Sequence, residues 1–158
     1  MTTPDRSDPY LPLDEAGRDL LPDLLDSPHG AFATLSDGLP LVTRVACLWT
    51  PQAGVTLLLS DLSEHARALR EDSACSILVG QPGGKGDPLT HPRLTLVGLA
   101  AEIDKDEMAA AWQTARPRTM LYYGFTDFRL WRLETTRGIL NAGFGQAYRL
   151  TPDDLPDG

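Results

Sequence analysis

Residues 55–79, VTLLLSDLSEHARALREDSACSILV, constrain this chain more than any other stretch. Val55 to Leu59 is a continuous apolar run, short and closed by polar residues, so it reads as a buried strand. Ser60-Asp61-Leu62-Ser63 then places two hydroxyls and a carboxylate ahead of a helical pattern. Ser63 is positioned to cap that helix, and Glu64 sits in its first turn, where the positive end of the helix dipole favours it. Leu62, Ala66 and Leu69 recur at helical spacing and predict an inward face. Ala74 to Val79 returns as a second short strand. The helix start offers unpaired N–H groups that suit an anion such as a phosphate, and an ordinary capped connector has the same local signature.

The preceding residues read as consecutive strands with hairpin links. His29 to Leu35 and Leu41 to Thr50 flank Ser36-Asp37-Gly38-Leu39-Pro40, where Asp-Gly tolerates the positive φ of a tight hairpin. Alternation puts Leu41, Thr43, Val45, Cys47 and Trp49 on one face of the second strand and Val42, Arg44, Ala46 and Leu48 on the other. Arg44 is thus a guanidinium on an otherwise apolar face. Buried there, it needs a partner, either a carboxylate of the chain or the phosphate or carboxylate of a ligand. Ahead of these strands, residues 1–11 read as a loose arm. Asp14 to Leu25 reads as a helix that Pro22 should kink or divide.

Downstream, QPGGKGDPL (81–89) is a Gly/Pro-rich loop and not a phosphate-binding Walker loop, because no Ser or Thr follows Lys85. Arg93 to Ile103 reads as a long strand in which Gly98 marks a bulge or a close backbone approach. Asp104 to Ala115 reads as a helix with Met108, Ala111, Trp112 and Ala115 on its core side. Residues 119–128 gather Tyr122, Tyr123, Phe125 and Phe128, a core element or a ligand wall. Phe128 to Leu133 and Gly138 to Leu150 read as the last strands, with Gly143-Phe144-Gly145 allowing an unusual backbone. The acidic, proline-containing tail 151–158 reads as disordered. Short strands at close spacing around one strand–helix–strand unit predict a mainly β chain with helices, a barrel or sandwich in a single domain.

Charge and composition exclude several functions. The formal net charge is −8, from 22 acidic against 14 basic residues. That opposes a nucleic-acid surface, which needs clustered Lys and Arg. No apolar run is long enough to span a bilayer, and the N-terminus has no basic start before an apolar core, so the expected location is the cytoplasm. Both cysteines, Cys47 and Cys75, fall in predicted strands and read as buried free thiols. There is no CxxC, HExxH or paired-histidine spacing for a structural metal, and no acid, base or nucleophile constellation names a catalytic residue.

Four segments carry a resemblance: GAFATLSDGLPLVTRVACLW, LLLSDLSEHARALREDSACSILV, GDPLTHPRLTLVGLAAEI and AGFGQAYRL. Over residues 29–150 the chain resembles the flavin-binding split-barrel family related to pyridoxamine 5′-phosphate oxidase, and within it the heme-utilisation branch. The resemblance implies a six-stranded antiparallel split barrel, with residues 1–28 as an arm and helix before it. It also implies a homodimer with small-molecule sites at the subunit interface. It implies an FMN-dependent oxidoreductase whose cofactor meets Arg44, Val45, Leu59, Ser60, Ser63, His65 and Arg67. Glu64-His65 stands where the flavin-binding relatives carry an Arg-Lys pair at the phosphate.

The heme branch implies a second use for the same corner, holding propionates. His65 is then the ligand preferred over His29 and His91, its other reading being a hydrogen-bonded residue on the helix surface, and His91 is expected to order its loop. The chain ends soon after AGFGQAYRL, so the C-terminal region that contributes to heme ligation in that branch is expected to be missing. A dimeric barrel that has lost its flavin site and catalyses nothing is the third expectation.

Overall fold

The computed structural model describes residues 8–143 and 145–157. In chain order they form β1 (Leu11–Pro12), α1 (Glu15–Leu25), β2 (His29–Ser36), β3 (Leu39–Thr50), β4 (Gly54–Ser60), α2 (Glu64–Glu71), β5 (Ala74–Val79), β6 (Arg93–Ile103), α3 (Lys105–Ala115), α4 (Met120–Tyr123), β7 (Phe128–Gly143) and β8 (Gln146–Leu150). Side chains set the starts of the three longer helices. Asp14 accepts from the Gly17 amide, Ser63 from Ala66 and Asp104 from Asp106. Each satisfies a donor that the first turn leaves unpaired.

The β2–β3 hairpin turns on Asp37 (φ 51°) and Gly38 (φ 76°), the positive-φ pair that the Asp-Gly signal predicts. From there the sheet runs β7-β4-β3-β2-β5-β6, and β6 pairs again with β7. These six antiparallel strands close a split barrel, the predicted fold. Strand β8 extends β7, and β1 pairs with β8 in parallel. Of the expected N-terminal arm, residues 1–7 lie outside the described residues.

Closure depends on β7, a single strand of 16 residues rather than two. Glu134 to Arg137 look like a break because they are polar. They nevertheless stay paired with β6, through Glu134 to Leu99, Thr135 to Gly98 and Arg137 to Val97. The extra residue, Thr136, donates its hydroxyl to the Val97 carbonyl at 2.9 Å. This is the bulge at Gly98, and a Cβ there would fall on the Glu134 carbonyl. β7 ends instead at Gly143 (φ 137°), and Gly145 (φ 75°) precedes β8; Phe144, named with them from sequence, lies outside the described residues.

Two apolar clusters result. Inside the barrel lie Phe32, Val45, Cys47, Leu57, Leu59, Ile77, Leu94, Leu96 and Leu140. Outside it, α3 and α4 cover β3 and β4 through Leu48, Leu58, Trp112, Tyr123 and Leu130. Trp112 Nε1 donates to Thr56 Oγ1 at 3.1 Å, and that hydroxyl donates to the Leu48 carbonyl at 2.9 Å. Both cysteines are buried and unpaired, as predicted, and burial pushes their thiols up, Cys47 to about 11 and Cys75 to about 12.

Several sequence expectations change. Pro22 sits inside α1 without dividing it; one backbone donor is lost, while Leu21, Leu24 and Leu25 bury the helix. Leu62 precedes α2 instead of joining its packed face and is 80% exposed. The tail is not disordered over its described part: Pro152–Asp154 form a 3-10 turn under a capping box, and Leu155 packs on the barrel core. Among the described residues, no helix is long and apolar enough to cross a membrane.

Candidate functional site

The predicted phosphate corner forms at the start of α2, and its polar groups satisfy one another. Ser60 Oγ donates to Asp127 Oδ2 at 2.7 Å and accepts from the Leu62 amide. Ser63 Oγ donates to the Ser60 carbonyl at 2.5 Å while capping the helix. Asp61 pairs with Arg70 at 2.7 Å and Arg129 at 3.4 Å, and both arginines also meet Glu102. Arg70 lies over the Trp131 ring, 5.2 Å from its centroid. Glu64 accepts from Ser36 Oγ rather than pairing with Arg67, which is exposed in a polar depression that also holds Asp37 and Glu71. A phosphate dianion here would meet carboxylates and occupied hydroxyls, so the corner does not fit the phosphate of FMN.

The other predicted site residues spread to different sides of β3. Leu59 is 1% exposed, enclosed in the barrel. His65 is half-buried, with Nδ1 2.9 Å from Thr43 Oγ1 and its ring edge-on to Phe32. Burial holds its imidazole below the usual histidine range. Thr43 and Arg44 point to opposite faces because they are neighbours on a strand. Arg44 therefore does not share a pocket with His65. It is also exposed rather than buried beside a counter-ion. Both faces of β3 are apolar in sequence, so alternation alone could not say which one faces the barrel interior.

Arg44 instead lines a cavity of about 440 Å³ with Pro28, His29, Val45, Ala46, Ala115, Arg116, Pro117, Arg118, Thr119 and Tyr122. A second cavity of about 330 Å³ shares His29 and Arg44 and continues over Ala31, Val42, Leu78 and Gln81. The two make one cleft along the outside of the barrel. Three guanidiniums and an imidazole line its larger part, against proline, valine, alanine and tyrosine surface. No carboxylate lines either cavity, although the chain has 22 acidic residues. Such a lining is chemically suited to an anionic ligand with an apolar body.

Of the aromatic segment, Tyr122 lines this cavity and also packs against the second apolar cluster, while Tyr123 is buried in that cluster. Sequence pattern did not favour His29 over His65, and it gave no sign of Arg116 and Arg118. Their only local signal is the R-P-R run closing a helix. The contact that brings them to β3 spans 69 residues, from Arg116 Nε to the Cys47 carbonyl at 3.0 Å. Among the described residues the His29 ring has one hydrogen-bond partner, Gln81, with Nδ1 3.5 Å from Nε2. His91 orders its loop as expected, accepting from the Gly83 amide and bonding the Lys85 carbonyl.

The chain is 30% identical to heme oxygenase HutZ of Vibrio cholerae over 115 residues, which are 67% of this chain and 64% of HutZ. Among solved structures, a heme-binding protein of Mycobacterium smegmatis superposes with a TM-score of 0.77 at 28% identity, over 92% of this chain and 61% of that one. A Clostridium acetobutylicum protein related to general stress protein 26, of the pyridoxinephosphate oxidase family, shares the fold with a TM-score of 0.70 at 14% identity, over 91% and 100%. This chain therefore spans less than two thirds of HutZ and of the mycobacterial protein. No family model matches it.

Proposed function

Since the chain belongs to the split-barrel family related to pyridoxamine 5′-phosphate oxidase, in its heme-utilisation branch, we propose that it binds heme in the cleft beside Arg44. One observation carries the reading: a cleft of apolar wall, three guanidiniums and a histidine, without a carboxylate, in an acidic protein. Arg44 and Arg118 are the cations for the propionates, and charge-assisted bonds of this kind are the strong ones. Pro28, Val45, Ala46 and Tyr122 supply the apolar contact for the macrocycle. His29 is the preferred iron ligand, because Thr43 and Phe32 already engage His65. Bound heme would bring its own redox and oxygen chemistry; the protein would bind, orient and shield it.

The flavin-dependent oxidoreductase reading is less well supported, because the corner it needs holds Asp127, Asp61 and Glu64 around its hydroxyls. A homodimer is supported by the outward face of β3, β2, β5 and β6. Val42, Leu78 and Leu99 stand there 63%, 41% and 49% exposed. Arg44 lies on the same face, so a second copy would close the cleft.

Titration with hemin tests the function. A saturable Soret band is expected, weakened about tenfold or more in affinity by Arg44→Gln, the loss of one charge-assisted contact. His29→Ala should shift the band, His65→Gln should leave it in place, and added FMN should stay unbound. A band indifferent to Arg44 and His29, or one that moves with His65, would overturn the assignment.

A further inference from the structure

Arg116 ends α3, and its side chain is only 10% exposed. It makes four hydrogen bonds to main-chain carbonyls. Nε donates to Cys47 at 3.0 Å, Nη1 to Ala115 at 3.0 Å, and Nη2 to Asp26 at 3.1 Å and Ser27 at 3.2 Å. These carbonyls belong to β3, to α3 itself and to the link from α1 to β2, so one planar fork ties three segments together. The carboxylate that approaches it, Asp26 Oδ1, stays 3.8 Å away and belongs to a side chain 82% exposed. Arg116 is a strut whose charge is not cancelled inside the cleft.

The turn beyond the strut is stiff. Pro117 fixes its own φ and ends the helix. The Thr119 amide and hydroxyl both donate to the Arg116 carbonyl, at 3.0 and 2.7 Å, closing the 3-10 turn Pro117–Thr119. Thr119 is buried, and Arg118 lines the cleft together with Arg44. Among the described residues, neither Arg44 nor Arg118 has a carboxylate within ion-pair distance.

We propose that Arg116 is a positioning residue: by pinning the Pro117–Thr119 turn to β3 it holds Arg118 with Arg44 as a two-point clamp, which makes the cleft selective for a flat apolar ligand bearing two carboxylates. The identity of that ligand as heme rests on the functional reading above.

The test compares hemin with hemin dimethyl ester, whose carboxylates are blocked. Wild type should prefer hemin by tenfold or more, a difference of about 1.4 kcal/mol. Arg118→Gln should cut that preference severalfold, and Arg116→Gln should cut it as much. The double variant should be no worse than Arg118→Gln, because the two act as one unit. Equal weakening of both ligands by Arg116→Gln, or additive losses, would overturn the positioning role.

Arg116→Lys keeps a charge without the fork and serves where the glutamine variant is unstable. It should lose the preference too, and keeping it would overturn the strut. Limited trypsin digestion reads the strut without ligand. Cleavage after Arg118 should quicken severalfold in either Arg116 variant, since cleavage after Arg116 is blocked by Pro117, and an unchanged rate would overturn the strut. A wild type that binds neither porphyrin would overturn the heme reading, and the trypsin rates would still decide the strut.

Discussion

His65 shows what burial and a single hydrogen bond do to a side chain at a helix start. It sits at the start of α2 and is spent on the barrel, between Thr43 Oγ1 and the edge of Phe32. Burial disfavours its charged form, so its folded pKa lies below the usual 6.5. Below the unfolded pKa, the unfolded chain binds a proton more readily than the native one, so stability falls as pH falls. The contribution is complete above about pH 6.5 and is lost as pH drops through the depressed folded value. Between about pH 7.5 and 5.5, above the carboxylate range, the urea midpoint of wild type should decline more steeply than that of His65→Asn. Parallel curves would show that His65 is not the source.

Among elements, the segment from α4 to β7 depends on one ammonium. Lys105 Nζ donates to the carbonyls of Tyr123, Phe125 and Phe128 at 3.0, 2.9 and 3.0 Å, which uses all three of its donors. The Tyr123 hydroxyl returns a bond to the Lys105 carbonyl, and burial with Asp106 and Asp104 nearby pushes that phenol up to about 12. Tyr122, the neighbour that lines the cleft, stacks on Phe128 with centroids 4.9 Å apart. Lys105→Met should cost about 1.5–3 kcal/mol in urea unfolding, the range for hydrogen bonds to charged groups. It should also speed amide exchange over residues 122–128, and an unchanged midpoint with unchanged exchange would refute this role of Lys105.

Most elements of this kind were legible in advance, because capping residues, the Asp-Gly turn and Gly98 are local signals. The continuity of β7 was not, because pairing with β6 carries Glu134 to Arg137 through a polar stretch that looks like a loop. The site was half legible for the same reason. Arg44 and Tyr122 stand out by local pattern, whereas His29, Arg116 and Arg118 acquire their place only when α3 folds back on β3.

At the scale of the molecule, the open face of the barrel has to be explained. Register aligns Val42 with Ala33, Ala33 with Ser76 and Ser76 with Val97 across four strands, and Arg44 with Ala31, Ala31 with Leu78 and Leu78 with Thr95 in the next row. Every side chain in these rows except Arg44 is small, apolar or uncharged. Exposed apolar patches of this kind mark association surfaces. The Arg44 row ends at the cleft, so a partner seated on the Val42 row would wall off the ligand from water. In the proposed dimer, assembly and binding would be linked. Val42→Arg should yield a folded monomer in light scattering, with unchanged circular dichroism, because the side chain is 63% exposed and carries little of the core. The same variant should weaken hemin binding while leaving Arg44, His29 and Arg118 in place. If instead Val42→Arg stays dimeric, or becomes monomeric with full hemin affinity, the cleft is complete within one chain and the open face plays no part in binding.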